Sequence, residues 1–188
     1  MACSQILTSI SNDCAKSMGG LKVVYAANYD DVVSIGVEDG KITSITMKTI
    51  GSGTTTAKFK KFEFRRNTAS MTSTLNVDAA NGNSINTDVS LSFLKQETAK
   101  RLAISALALG ELVLLVVDAN GLTWYLGREM PVSASAGGAE SGTAFTDGNK
   151  YTITLQDVSS DFPYEVKTAP ETTEDTDYVD ISEIVDNS

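Results

Sequence analysis

The residues that most often carry out catalysis are scarce in this chain. None of its 188 residues is histidine, so the usual general base, imidazole metal ligand and catalytic-triad partner are absent. The adjacent acids Asp30/Asp31 and Glu38/Asp39 lie in predicted turns, where short acidic side chains serve turn geometry. The glycine-rich stretches 51–53 and 137–138 lack the Lys-Ser/Thr pair that ends a phosphate-binding loop. We therefore expect no enzymatic activity, no catalytic residues and no cofactor.

The cysteines and acidic residues do not indicate a metal site either. Cys3 and Cys14 are too few for a zinc site or a disulfide framework. Reduced thiols in a cytosolic setting are the favoured interpretation, and a bridge between the two cysteines stays open. The acids beyond Thr168 do not follow the spacing of a calcium-binding loop, and the N-terminus lacks the basic and apolar regions of a signal peptide.

Charge is distributed unevenly along the chain. The net charge is −9, and seven of the 24 acids, with no base, lie in residues 168–188. Residues 1–167 hold the other 17 acids against 15 bases and are nearly neutral. Neither part has the basic surface of a general nucleic-acid-binding protein. We expect the acidic tail to be disordered in isolation, with four apolar residues that could form a short helical face on a partner: Val179, Ile181, Ile184 and Val185.

The most basic stretch, residues 58–66 (KFKKFEFRR), interleaves cations with phenylalanines. Basic residues beside aromatic residues can bind single-stranded nucleic acid. Strand alternation offers a second interpretation, in which Phe62 and Phe64 point inward and Lys61, Glu63 and Arg65 face water. The second interpretation is favoured.

Two predicted strands, Ser70–Asp78 and a strand beginning at Ile85, show the clearest alternation in the sequence. One face is apolar, and the other consists of short polar side chains: Ser70, Thr72, Thr74, Asn76, Asp78, Asn86, Asp88, Ser90 and Ser92. No lysine or arginine occurs from Ala69 to Leu94, whereas exposed strands commonly use charged side chains to discourage edge pairing. Such a face suits the lining of a channel. A plain solvent-facing sheet remains an equally open interpretation.

The segment Gln96–Gly127 contains the strongest helix signal and organises the rest of the chain. The spacing predicts a helix over 96–110, ended by a left-handed Gly110, with a buried face made of Leu102, Ala103, Ala106 and Leu107. A buried strand over 112–117, a tight turn over 118–121 and a return strand with Trp124 follow. A membrane span over 102–117 is disfavoured because its 16 residues include Glu111 and fall short of roughly 20 apolar residues.

The remaining patterns complete a mainly β domain. Further strands are predicted at 21–27, 41–48, 129–135, 150–156 and 162–166, with Pro131 indicating an edge or a break in the third of them. Turns are predicted at 157–161 and a small-residue loop at 136–148. The expected organisation is an N-terminal arm (1–20) with a helical turn near 12–16, a β domain (21–167) with helix 96–110, and the acidic tail (168–188). The predicted fold class is mainly β with one packed α-helix.

Several stretches together resemble virion tail structural proteins of tailed bacteriophages of gut Bacteroidetes, including crAss-like phages. The resemblance covers roughly residues 3–166. It is carried by ISNDCAKSMGGLKVVYAANYDDV, FRRNTASMTSTLNVD, ETAKRLAISALALGEL, DANGLTWYLG and GTAFTDGNKYTITL.

This resemblance implies a tail-tube-like β-sandwich or barrel that assembles with itself into a homohexameric or other ring, as a tube or a hub. The hairpin 70–94 would line the channel, and genomic DNA would pass during ejection without specific binding. The loops 49–56 and 136–148 would contact the ring above or below, and neighbouring phage tail proteins would be further partners. Five basic residues become subunit-interface candidates: Lys58, Lys60, Lys61, Arg65 and Arg66. The implied location is the virion tail, assembled in the host cytoplasm, with no membrane partner. A capsid decoration protein or a receptor- or glycan-binding module is the alternative.

Overall fold

The structure, a computed structural model, describes residues 10, 17–51, 55–78, 82–144, 147–169 and 177–186. The helical turn expected near 12–16 and both cysteines lie outside these residues. The described strands are β1 (Leu21–Asn28), β2 (Val32–Glu38), β3 (Lys41–Met47), β4 (Thr49–Ile50), β5 (Thr55–Thr56), β6 (Phe59–Phe62), β7 (Ala69–Asn76), β8 (Ser84–Leu94), β9 (Leu112–Asp118), β10 (Thr123–Leu126), β11 (Ser133–Glu140), β12 (Lys150–Ser159), β13 (Tyr164–Val166) and β14 (Val185–Asp186). The helices are α1 (Thr98–Leu109) and the single turn α2 (Ile181–Ile184), and a 3-10 turn spans Tyr29–Asp31.

Two sheets form the body of the molecule. The larger has eight strands in the order β14-β6-β1-β9-β10-β13-β3-β2, and the smaller has four in the order β11-β12-β8-β7. The strands β4 and β5 form a separate short hairpin within the predicted loop 49–56. The prediction of a mainly β fold with one packed helix is confirmed, since α1 is the only helix longer than one turn in the described residues.

The strand β9 lies at the centre of the larger sheet and is buried on both faces. Its neighbours are β1 and β10, both antiparallel to it. Leu112, Leu114 and Val116 face the core between the two sheets, while Val113 and Leu115 face a second core. This double burial explains the nearly continuous apolar sequence of β9.

The second core lies on the other face of the larger sheet, which curls around it. Phe59 from β6 and Ile42 from β3 are both fully buried there, although β6 and β3 lie toward opposite ends of the sheet. The curled sheet therefore encloses a core of its own.

The helix α1 packs less deeply than predicted. Gly110 is its C-cap, as expected, but its backbone is extended, at φ −86° and ψ 152°, so the predicted left-handed conformation is wrong. Glycine avoids a close approach there, because a Cβ atom would lie 3.0 Å from the carbonyl oxygen of Ala106 and 3.1 Å from Leu112 Cδ2. Of the four residues predicted to be buried, only Leu107 is. The helix contacts β11 and β12 along one narrow side, which leaves Leu102 57% exposed.

Two strands are longer than the sequence predicts. β11 continues to Glu140 through residues predicted as loop, and β12 continues to Ser159 through residues predicted as turn. Both extensions follow from pairing, because β12 is aligned with β8 over ten consecutive positions and with β11 on its other side. Tertiary pairing here overrides weak local strand propensity.

The C-terminal region also differs from its prediction. Residues 177–186 dock on the chain's own larger sheet, where Val179 and Val185 are 4% and 3% exposed. The backbone N–H of Val179 donates to the carbonyl of Lys167 at 2.8 Å, and β14 pairs with β6. The expectation of disorder is therefore wrong for these residues, because their spaced apolar side chains fill the second core.

The turn between β9 and β10 is built around Asp118. Its Oδ1 accepts hydrogen bonds from the backbone N–H groups of Asn120, Gly121 and Leu122 at 2.8, 2.8 and 3.0 Å. Its Oδ2 accepts from Trp124 Nε1 at 3.3 Å. Partial burial opposes ionisation, but these hydrogen bonds outweigh it and hold the pKa of Asp118 below its usual value.

Replacing Asp118 by alanine is expected to lower the free energy of unfolding by about 1–2 kcal/mol at pH 7, since several charge-assisted hydrogen bonds are lost. Because the folded-state pKa is depressed, this contribution is present above the unfolded pKa of about 4 and is lost as the pH falls through the folded value. Urea denaturation at pH 7 and pH 3 measures both effects. Asp118→Asn, which keeps an acceptor, should lose less; equal losses in the two variants would contradict this role.

Candidate functional site

The outer face of the four-stranded sheet is largely polar, and Val158, which is 41% exposed and aligned with Asn86, is an apolar residue on it. The aligned rows run across all four strands: Ser70, Ser90, Thr154 and Ala136 form one row, and Thr72, Asp88, Gln156 and Ser133 form the next. The residues of β8 and β12 that alternate with these, such as Val89 and Leu155, point into the core between the sheets. The polar face was predicted for the two strands β7 and β8, and in the structure it extends over all four strands of the sheet.

Side chains within each row hydrogen-bond to one another across the strands. Ser90 Oγ and Thr154 Oγ1 are 3.1 Å apart, and Gln156 Nε2 donates to Asp88 Oδ1 at 2.9 Å. All four are partly exposed, so the hydrogen bonds order the surface without removing it from water. The result is a smooth face of short, mutually bonded groups.

Positive charge is nearly absent from this face. Of the residues in the four strands, only Lys150 is cationic, and it lies at the very start of β12. Its Nζ is 3.8 Å from a carboxylate oxygen of Glu140, the residue aligned with it on β11. With Asp88 also on the face, the surface is slightly acidic. DNA phosphates would find no row of cations there.

The structure brings together eight of the nine channel-lining candidates. Ser70, Thr72, Thr74 and Asn76 are exposed on β7, and Asn86, Asp88, Ser90 and Ser92 are partly exposed on β8. Asp78 is exposed but lies beyond the end of β7. Whether these residues line a channel stays a prediction.

The five basic candidates do not share one strand, because β6 includes only residues 59–62. Lys60 forms an ion pair with Asp186 of β14, and Lys61 Nζ lies 2.6 Å from Glu63. Lys58, Arg65 and Arg66 are exposed. Phe62 and Phe64 are half-buried against the inter-sheet core, as predicted, and Phe62 meets Phe93 edge to face at 6.4 Å. A role for the basic residues between subunits stays a prediction.

The edges of the two sheets are protected to different degrees. In the larger sheet, the edge strand β2 carries two register irregularities, and the opposite edge is the two-residue β14, which pairs with β6. In the smaller sheet, β7 pairs with β8 over eight regular positions, and no described strand pairs with its other edge. The edge of β11 has one irregularity. The smaller sheet therefore offers backbone groups for pairing with another chain.

One row of the inner face of the smaller sheet is polar, and the sequence did not reveal it. Ser73, Thr87 and Asp157 are aligned, and Ser73 Oγ lies 2.8 Å from the fully buried Thr87 Oγ1. Asp157 is 3% exposed, and its Oδ1 has no hydrogen-bond partner within the described residues. In the sequence, Asp157 directly follows the alternating strand 150–156. An acid at the end of a strand is typical of a turn, so a turn was predicted there instead of a buried position.

Burial raises the pKa of Asp157 to about 6. A hydrogen bond from the backbone N–H of Gly127 acts in the opposite direction, while the charge of Glu129 raises the pKa further and that of Arg128 lowers it. Gly127 has φ +89°, and a Cβ atom there would lie 3.0 Å from the carbonyl oxygen of Leu112, so only glycine fits. Burial of the Tyr125 side chain likewise raises the pKa of its hydroxyl, and the charge of Asp157 raises it further.

No chemical centre was found in the described part of the chain. Those residues contain no group of three or more His, Cys, Asp or Glu side chains placed to hold a metal ion. No helix within the described ranges is long and apolar enough to cross a bilayer. The polar face is therefore the most distinctive surface among the residues described.

The chain was compared with known proteins at three levels. No protein-family model, no curated protein and no solved structure matches it. Its fold and its polar face are the observations from which a function can be inferred.

Proposed function

We propose that this chain is a structural protein of a bacteriophage tail that assembles into a ring, as tube or hub, around the DNA channel. The observation that supports the proposal most is the polar outer face of the smaller sheet. A conduit for DNA must not retain it, and phosphate binding depends on lysine and arginine that release counterions. A face of short hydroxyl and amide groups, with its one lysine at the margin beside Glu140, meets that requirement.

Ring closure would use the open edges of the same sheet. When β7 of one subunit pairs with β11 of the next, each polar face continues into its neighbour, and the edges disappear. Such a contact is heterologous, and it generates a closed ring when the rotation between subunits divides a full turn. Six copies are the first expectation. The partners are then other copies of the chain, adjoining tail proteins and the passing DNA.

A glycan- or receptor-binding module is the alternative. Sugar rings and peptide anchors favour aromatic surfaces. The outer face of the smaller sheet carries none, since Tyr151 and Phe93 alternate toward the other side. This composition favours the ring.

The proposal predicts that a charge on β7 blocks assembly. Thr74→Lys places a lysine on the open edge, where edge strands commonly use it to prevent pairing. We expect the concentration needed for assembly to rise about tenfold or more, equivalent to about 1.4 kcal/mol per contact. Light scattering and electron microscopy of concentrated protein measure this, with particles from phage as the reference.

Asn86→Lys is the matched control, since Asn86 is aligned with Thr74 one strand further in. It adds the same charge to the same row without touching the edge, and it should assemble as the unmodified chain does. Equal assembly of both variants would rule out β7 as the closing edge. Particles in which the polar face lies on the outer wall would overturn the function itself.

A further inference from the structure

The C-terminal segment 177–186, named here the strap, is held by its own side chains. Val179 and Val185 are buried, and Ile181 and Ile184 pack beside them on the core of the curled sheet. The backbone pairing is short and parallel, with Val185 aligned with Phe59 and Asp186 with Lys60. The side chain of Asp180 caps α2 by accepting from the backbone N–H of Ser182 at 2.9 Å.

Charge complementarity accompanies this apolar contact. The strap carries four acids and no base, whereas the facing segment 58–61 carries three lysines. Lys60 is paired with Asp186. A groove of about 1240 Å³ is lined by residues of both segments, with Glu183, Ile184 and Asp186 from the strap and Lys58, Lys60 and Lys61 from the facing segment. The β6 edge thus selects an acidic segment with spaced branched residues.

The described contacts of the strap do not depend on its covalent link to the same chain. Residues 170–176 join it to the sheet, and their sequence, PETTEDT, contains three acids and no branched aliphatic or aromatic side chain. The first described backbone contact beyond that stretch is the hydrogen bond between Val179 and Lys167. A second copy of the chain presents the same lysine carbonyl, the same β6 edge and the same apolar pocket.

We propose that the β6 edge and its pocket form a docking site for the strap of a second copy, so that the strap exchanges between subunits when they are close together. The exchange reproduces every described contact of the strap and requires only that residues 170–176 cross to the neighbour. A second copy is the occupant because its strap already has the charge and apolar spacing that the site binds. This inference is independent of the proposed function.

The exchange can be tested in the full chain with two single-cysteine variants, one with the cysteine on β6 and the other with the cysteine on the strap. In a background of Cys3→Ser and Cys14→Ser, one chain carries Lys60→Cys and the other Asp186→Cys; these positions are aligned neighbours that a disulfide can span. The two chains are unfolded in urea, refolded together and oxidised. Residues 170–176 are a linker of seven residues, and a linker of that length gives an effective concentration of order 1 mM. We therefore expect disulfide-linked heterodimer at about one per cent near 10 µM and about half near 1 mM.

Two further variants make each outcome decisive. A chain with both Lys60→Cys and Asp186→Cys should close internally at about 10 µM, because intramolecular docking prevails there; failure to close would refute the docking itself. Lys61→Cys, aligned with Tyr25 on the other side, should give no heterodimer with Asp186→Cys. Internal closure without any heterodimer at 1 mM, or equal yields from positions 60 and 61, would overturn the exchange.

Discussion

Lysine at both Ser90 and Thr154 is expected to turn an assembly that releases DNA into one that retains it. The two hydroxyls are 3.1 Å apart at the centre of the polar face, on strands that are not edges, so the substitution should leave ring closure intact. Each subunit would add two cations to a surface that now has almost none. With about four phosphates neutralised, affinity for double-stranded DNA should fall on the order of a hundredfold between 50 and 200 mM salt.

Fluorescence anisotropy with labelled duplex DNA measures this in assembled particles. The double variant Ser90→Glu and Thr154→Glu is the control for bulk and for the lost hydrogen bond, and it should bind no more DNA than the unmodified assembly. If lysine particles form but bind DNA as weakly as the glutamate particles, the polar face does not border the channel. If unmodified particles already bind DNA tightly, the requirement for a non-retaining surface is wrong.

Asp157→Asn is expected to stabilise the protein at neutral pH. Burial holds the folded-state pKa of Asp157 near 6, above the ordinary aspartate value of 3.8. Between these values the folded state binds more protons than the unfolded state, so the stability of the unmodified protein falls as the pH rises from about 4 to about 6. Above that range the charged carboxylate remains a constant penalty, and its removal should raise the free energy of unfolding by about 1–3 kcal/mol.

Urea denaturation of the two proteins from pH 4 to pH 8 checks both the size and the direction of this effect. The difference should be largest at pH 8 and should shrink toward zero near pH 4. Asp30→Asn makes the same chemical change on an exposed turn, and we expect it to alter stability little at any pH. A constant difference across the range, or a loss of stability at pH 8, would contradict the buried-acid interpretation.

Strong alternation predicted much of the fold. The residues Met71, Val89, Leu91 and Phe93 lie on the inner side of the smaller sheet, as their spacing indicated. The branched sequence of β9 predicted a central buried strand for the same reason. These patterns succeed because burial on one face, or on both, leaves a periodic trace in the sequence.

Other features depended on partners that are distant in the sequence. The small residues of β11 have little strand propensity of their own, and pairing with β12 determines their conformation. Asp157 has the local character of a turn residue, yet β8 keeps it in a strand. The exposure of Leu102 on α1 and the docking of Val179 and Val185 likewise depend on which surfaces the fold presents. No local window contains that information.

The pairing of β1 with β9 has a consequence for the kinetics of folding. These two central strands are adjacent in the larger sheet, although seven other strands, from β2 to β8, separate them along the chain. Bringing them together requires closure of a long loop before either core can form, and high contact order slows folding. Hairpins such as β7–β8 are local and can form early. The nascent subunit would therefore expose an open polar-faced hairpin before its centre is complete, and aggregation at that stage competes with productive folding.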